Sequence, residues 1–176
     1  NIYCQGQDVL HIAQTHSTTM QLLYAARTTD VDILFESRNF VEFDLSRPLH
    51  HPDAVRQYES FARKYYDMPE DLENPNFFMD KFVIWYQEES QLEAFRRVSD
   101  KWFDCIDRGG TFREFVPYGC SKATGIQYVL NHYHLDLSDA YALGDSNNDL
   151  SMLSYVPHSI VMGNATPESL FAQAEY

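Results

Sequence analysis

Short runs of alternating apolar and polar residues dominate the first two thirds of the chain, and they predict strands that come in neighbouring pairs. Residues 9–13 read as a short strand, and Ser17 is placed to cap a helix running through residues 20–26. Residues 31–35 and 40–45 are rich in β-branched and aromatic side chains and predict two strands turned around Ser37-Arg38-Asn39. Pro52 opens a helix reaching Tyr66, with Val55, Tyr58, Phe61 and Ala62 on its apolar face. Residues 68–77 carry Pro69, Pro75 and two asparagines and read as a loop. Lys81-Phe82-Val83-Ile84-Trp85-Tyr86 predicts a strong strand, residues 91–98 a helix with Leu92, Phe95 and Val98 on one side. Two further strands are predicted at 102–106 and 112–116, around Arg108-Gly109-Gly110.

Near residues 112–118 the pattern switches. Helices are predicted at 121–132, 149–153 and 167–174, with strands at 140–143 and 159–162 between them. Helix and strand alternating over short connections is the pattern of a parallel sheet with crossover helices. The front pattern is that of an α+β unit. The fold class is therefore α/β, with a part-Rossmann-like tail behind an α+β unit.

Composition narrows the partners. Of 176 residues, 44% are hydrophobic, enough for a core, and 15% are aromatic, which suits strands. Lys and Arg number 13 against 26 Asp and Glu, a net charge of −13, which repels nucleic-acid phosphate and anionic membranes. No nucleic-acid or membrane partner is expected, and oligomeric state is left open. No apolar run reaches the length of a membrane span. Three widely spaced cysteines, Cys4, Cys105 and Cys120, predict reduced thiols in the cytoplasm rather than a disulfide frame.

The chemistry lies in the tail. The apolar run Ala140-Tyr141-Ala142-Leu143 ends in Gly144-Asp145-Ser146-Asn147-Asn148-Asp149-Leu150, so Asp145 is delivered to the C-terminal tip of a strand. Ligands bind at such tips in open α/β sheets. Asp149 follows four residues later, and two carboxylates this close call for a cation or a proton between them. Upstream, Gly119-Cys120-Ser121-Lys122 enters a helix, where a lysine in the first turn opposes the helix dipole and suits an anion. Downstream, Met162-Gly163-Asn164-Ala165 again ends a strand. Asp and Asn also serve as turn and cap residues, and that reading competes for each segment taken singly. An EF-hand is excluded, because the sixth position counted from Asp145 is Leu150 and the twelfth Val156, where Gly and Glu are needed.

Together the segments resemble the C-terminal half of a haloacid-dehalogenase-superfamily hydrolase of the Cof type, over residues 115–174. The most specific match is Gly-Asp-x-x-Asn-Asp-x-x-Met-Leu at Gly144, Asp145, Asn148, Asp149, Met152 and Leu153, with Lys122 23 positions before Asp145. The resemblance implies a Mg²⁺-dependent phosphatase of small phosphorylated metabolites such as sugar phosphates, working through an aspartyl-phosphate. It implies that Asp145 holds the metal, that Asp149 binds the metal through water or orients the neighbouring groups, that Lys122 neutralises charge on the phosphate and the nucleophile, and that Asn148 positions a phosphate or nucleophile oxygen by hydrogen bond. It also implies an order of parts: residues 1–8 as the end of a core segment and a linker, 9–112 as an α+β C2-type cap, and 113–176 as the C-terminal part of the core. The cap assignment rests on size and strand pattern; of the Asn-Gly-Ala segment that often precedes such caps, Cys4-Gln5-Gly6-Gln7 keeps only the glycine.

The family's nucleophile is the first Asp of a D-x-D motif after a buried strand, expected here upstream of Asn1. On that expectation residues 1–176 alone are inactive. Asp30-Val31-Asp32 is the sole D-x-D of the chain, but Ala-Arg-Thr-Thr precedes it and Ile33-Leu34 follows it, inside the expected cap. The competing functional reading is a non-catalytic module that binds a ligand or partner; a D-x-D upstream decides for the enzyme. His132 and His134 read as a surface pair, His50-His51 as a helix approach, and Cys120 as a packing residue. Trp85, Tyr86, Phe95 and Trp102 read as cap core, or in part as the lining of a substrate pocket.

Overall fold

A computed structural model describes residues 1–38, 41–64 and 72–175, with the side chains of residues 63 and 64 excepted. It divides into two units, Asn1–Tyr118 and Gly119–Tyr176. No described helix is long and apolar enough to cross a membrane.

The first unit opens with a hairpin, β1 (Ile2–Cys4) and β2 (Gln7–Leu10). Its two turn residues, Gln5 and Gly6, both have positive φ (50° and 78°), the backbone that twists with the strands. The strand expected at 9–13 thus starts earlier and ends at Leu10. Helix α1 (His16–Thr29) is capped by Thr15, whose hydroxyl accepts the Thr18 amide at 3.2 Å, and Ser17 lies inside the first turn.

Five antiparallel strands form the main sheet in the order β4-β3-β5-β7-β6: β3 (Asp32–Glu36), β4 (Val41–Phe43), β5 (Lys81–Trp85), β6 (Phe103–Asp107) and β7 (Phe112–Pro117). The ends of two expected elements, residue 40 of a strand and residues 65–66 of a helix, lie outside the described residues, as do residue 39 of the expected turn and residues 68–71 of the expected loop. One face of the sheet presents Phe35, Phe82, Ile84, Phe103 and Phe115 to Leu22, Leu23 and Ala26 of α1 and to Leu92 and Phe95 of helix α3 (Glu89–Ser99). Phe82 and Phe115 stack at 4.7 Å between centroids, on neighbouring strands in register. The other face sets Leu34, Phe43, Val83 and Trp85 against Ala54, Tyr58 and Phe61 of helix α2 (Pro52–Lys64). Trp85, Tyr86 and Phe95 are buried in this unit and Trp102 packs on its core. Alternating side chains along each strand supply both faces, which is why the strands read as nearly continuous apolar runs.

The second unit contains helix α4 (Lys122–Tyr133), strand β8 (Tyr141–Ser146), helix α5 (Leu150–Tyr155) and strand β9 (His158–Thr166). β8 and β9 pair in parallel, and Leu153, Val161, Ala165 and Leu170 form a small core. Both strands run further than expected, through the two motifs that end them. The helix expected at 167–174 is a 3-10 turn, Glu168–Gln173. Its packing requirement is met by one side chain, Leu170, which is 1% exposed, so a longer amphipathic helix is not needed to close the core.

Candidate functional site

Ser121 fixes where α4 starts. Its hydroxyl accepts the Thr124 amide at 3.1 Å, and the Thr124 hydroxyl accepts the Ser121 amide at 2.9 Å, a reciprocal cap. Lys122 is therefore the first helical residue, half-exposed, with its chain directed to Asp149.

β8 delivers the other residues. Along it Ala142 and Gly144 are buried while Tyr141, Leu143 and Asp145 are exposed. After Ser146 the chain makes a 3-10 turn, Asn147–Asp149, before α5. That turn swings Asp149 back over β8. Its Oδ2 accepts the amides of Asp145 at 2.9 Å and Ser146 at 3.3 Å, and its Oδ1 accepts the Lys122 ammonium. The carboxylate is 7% exposed. Burial pushes its pKa up, but the Lys122 hydrogen bond and the two amides outweigh burial and hold it below the ordinary carboxylate range.

The return of Asp149 explains Gly144. A Cβ built at Gly144 would lie 2.6 Å from the Asp149 Cβ and 3.0 Å from its Cγ. Glycine is required here by close approach. Gly144→Ala is expected to push Asp149 off its amides and destabilise this unit by about 1–3 kcal/mol. Amide exchange at Asp145 and Ser146 reads this out; unchanged protection in the variant would refute it.

The two carboxylates have different surroundings. Asp145 is exposed, and its side chain has no partner among the described residues. Asp149 is committed on both oxygens. Ser146 Oγ donates to Asn148 Oδ1 at 2.5 Å. Asp145 stands alone where the pairing of β8 with β9 slips, since Gly144 pairs with Val161 and Ser146 with Thr166. Residues 162–165 bow out opposite Asp145 over that slip, which puts Gly163-Asn164-Ala165 at the same strand end.

The structure brings Lys122, Asp145, Asn148 and Asp149 to one end of β8. It does not bring the D-x-D of the first unit into any such arrangement. Asp30 ends α1 in the left-handed conformation (φ 58°). Asp32 is buried at the start of β3, where its carboxylate accepts the amides of His50 (2.8 Å) and His51 (2.7 Å) and Arg47 Nη1 (3.2 Å). Those bonds hold the approach to α2, as the His50-His51-Pro52 run suggests. His132 stacks on Tyr128 at the end of α4, and His134 is its left-handed cap. Sequence reasoning passed over Ser146, whose only sequence signal is a small hydroxyl two residues before Asn148.

A magnesium ion suits this end of β8. Mg²⁺ is usually held by one or two carboxylates plus substrate oxygens and water, not by an all-protein cage. The open Asp145 carboxylate has the chemistry of such a ligand. No group of three or more His, Cys, Asp or Glu side chains able to hold a metal occurs among the described residues.

Comparison with known proteins follows the same line. YkrA of Bacillus subtilis (strain 168) is 39% identical over 120 residues, 67% of this chain and 44% of YkrA. The HMP-PP phosphatase of Yersinia enterocolitica is 44% identical over 89 residues, 49% of this chain and 32% of that protein. The chain thus spans less than half the length of these curated relatives. In fold, it matches BT1666 of Bacteroides thetaiotaomicron with a TM-score of 0.75 at 22% identity, over 95% of this chain and 60% of BT1666. A family model for haloacid dehalogenase-like hydrolases matches residues 2–176. With the Gly144–Leu153 motif, the fold and this match in agreement, the chain belongs to the haloacid dehalogenase-like hydrolases, of the Cof type.

Proposed function

We propose that this chain serves a Mg²⁺-dependent phosphatase, a phosphoric monoester hydrolase acting on small phosphorylated metabolites such as sugar phosphates. The observation that carries the reading is the sorting of charge at the end of β8, with one carboxylate open and the other locked onto Lys122 and two backbone amides. Asp145 would hold Mg²⁺, which would supply positive charge to the phosphoryl oxygens. Asp149 keeps the Lys122 ammonium beside that site, where it offsets phosphate charge. Asn148 presents its amide to a phosphoryl oxygen. Fixed electrostatic groups of this kind provide most of the barrier reduction in phosphoryl transfer.

The substrate class is supported by the name of one relative, the HMP-PP phosphatase, and by the net charge of −13, which disfavours polyanionic macromolecules. Residues 9–112, which lie within the unit Asn1–Tyr118, are assigned as a C2-type cap that shelters the reaction from water and selects the leaving group. Three widely spaced cysteines, read as reduced thiols, suit the cytoplasm.

The test is a panel of phosphate esters given to the full-length protein. Phosphate release is expected with Mg²⁺, lost on chelation with EDTA and regained when Mg²⁺ is added back. Full-length protein that releases no phosphate from any ester with Mg²⁺ present would leave the non-catalytic module as the better reading.

A further inference from the structure

We propose that Ser146 is a positioning residue that fixes which way round the Asn148 amide faces. The inference rests on the site reading above and extends it to how the site recognises an oxyanion. The Ser146 Oγ to Asn148 Oδ1 separation is 2.5 Å. The amide oxygen, not the NH₂ group, faces the serine hydroxyl at hydrogen-bond distance. Oδ1 carries no proton, so the hydroxyl must donate. Its single proton is therefore spent on Asn148.

The consequence is a fixed dipole. With its oxygen held by Ser146, Asn148 keeps both N–H groups for another acceptor, and none of the described residues takes them. They belong to the same strand-end turn that carries Asp145 and Asp149. A phosphoryl group offers only acceptor oxygens to such a donor pair. A reversed amide would present its oxygen instead and repel the same group. Ser146 thus sets the sign of the contact without touching substrate. The serine can do this because it shares the turn with Asn148, so the orientation is built into the fold before any ligand arrives.

The test is a double-mutant cycle in the full-length protein, read as kcat/KM for a phosphate ester and as inhibition by inorganic phosphate. Ser146→Ala is expected to lower kcat/KM and weaken phosphate inhibition by roughly three- to tenfold, the worth of one neutral hydrogen bond. Ser146→Thr, which keeps the hydroxyl, should restore both to within about twofold of the parent. Asn148→Ala should cost at least as much as Ser146→Ala, and the double variant no more than Asn148→Ala alone. If Ser146→Ala lowers activity by the same factor in the Asn148→Ala background, the serine only caps the turn and the proposal is overturned. The proposal also fails if Asn148→Ala is costly and Ser146→Ala is not. If Asn148→Ala itself costs nothing, the role given to Asn148 falls, and this inference falls with it.

Discussion

Asp149→Ala is expected to remove roughly 2–3 kcal/mol from the Gly119–Tyr176 unit, because it strips partners from two amides and an ammonium at once. The partly buried amides of Asp145 and Ser146 would lose their acceptor, and leaving such groups unmade costs more than the bonds contribute. Lys122 would lose less, since its half-exposed ammonium can turn to water. Turnover should fall with stability, because the amides that Asp149 holds are those of the residues that carry the site. Asp149→Asn keeps the size of the side chain but replaces one oxygen by a donor group, so it should recover only part of the loss. The pH dependence has a definite sign. The Asp149 pKa is lowered by folding, so its contribution is fully present above the ordinary carboxylate value of 3.8 and is lost as pH falls through the lower folded value. Acid unfolding of this unit should therefore be steeper below about pH 4 in the parent than in Asp149→Asn. Equal acid sensitivity of the two proteins, or unchanged exchange of the Asp145 and Ser146 amides in Asp149→Ala, would refute the anchoring role.

Spacing made the gathering of these four residues legible, but not their division of labour. The run from Ala140 into Gly144-Asp145 points a carboxylate at a strand tip, and Ser121 ahead of Lys122 marks a helix start; both are local patterns, and both elements form there. Nothing local says that Asp149 folds back over Gly144. That depends on the 3-10 turn at Asn147–Asp149 and on the absence of a side chain at Gly144, so local pattern without the family resemblance does not tell the two acidic residues apart. In the first unit the strands were visible from their apolar and aromatic runs. Their order was not, because β7 enters between β5 and β6, and no short-range pattern encodes a pairing over such a separation. The hairpin at residues 2–10 escaped for the opposite reason, since its first strand is only three residues long. Thr15 and Ser17 are both hydroxyl residues ahead of an apolar run; the cap falls to Thr15 because its oxygen reaches the Thr18 amide.

Asp145 should behave in the opposite way to Asp149. Its carboxylate is exposed and unpartnered among the described residues, so Asp145→Asn removes no contact that holds the fold. Stability should stay within about 0.5 kcal/mol of the parent, as for surface changes away from special features. Turnover, in contrast, should fall on the order of 10²–10³-fold, the scale set by losing one group that stabilises charge in the transition state. The Mg²⁺ concentration needed for half-maximal rate should rise as well, because the amide that replaces the carboxylate is a neutral and weaker ligand for a hard cation. A thermal melt of the two proteins, with Mg²⁺ titrations of their phosphatase rates, separates these effects. A variant that melts with the parent and fails in catalysis assigns Asp145 to chemistry. A variant with the parent's rate and the parent's Mg²⁺ requirement would leave Asp145 as a surface turn residue, and the metal would then have to be held without it.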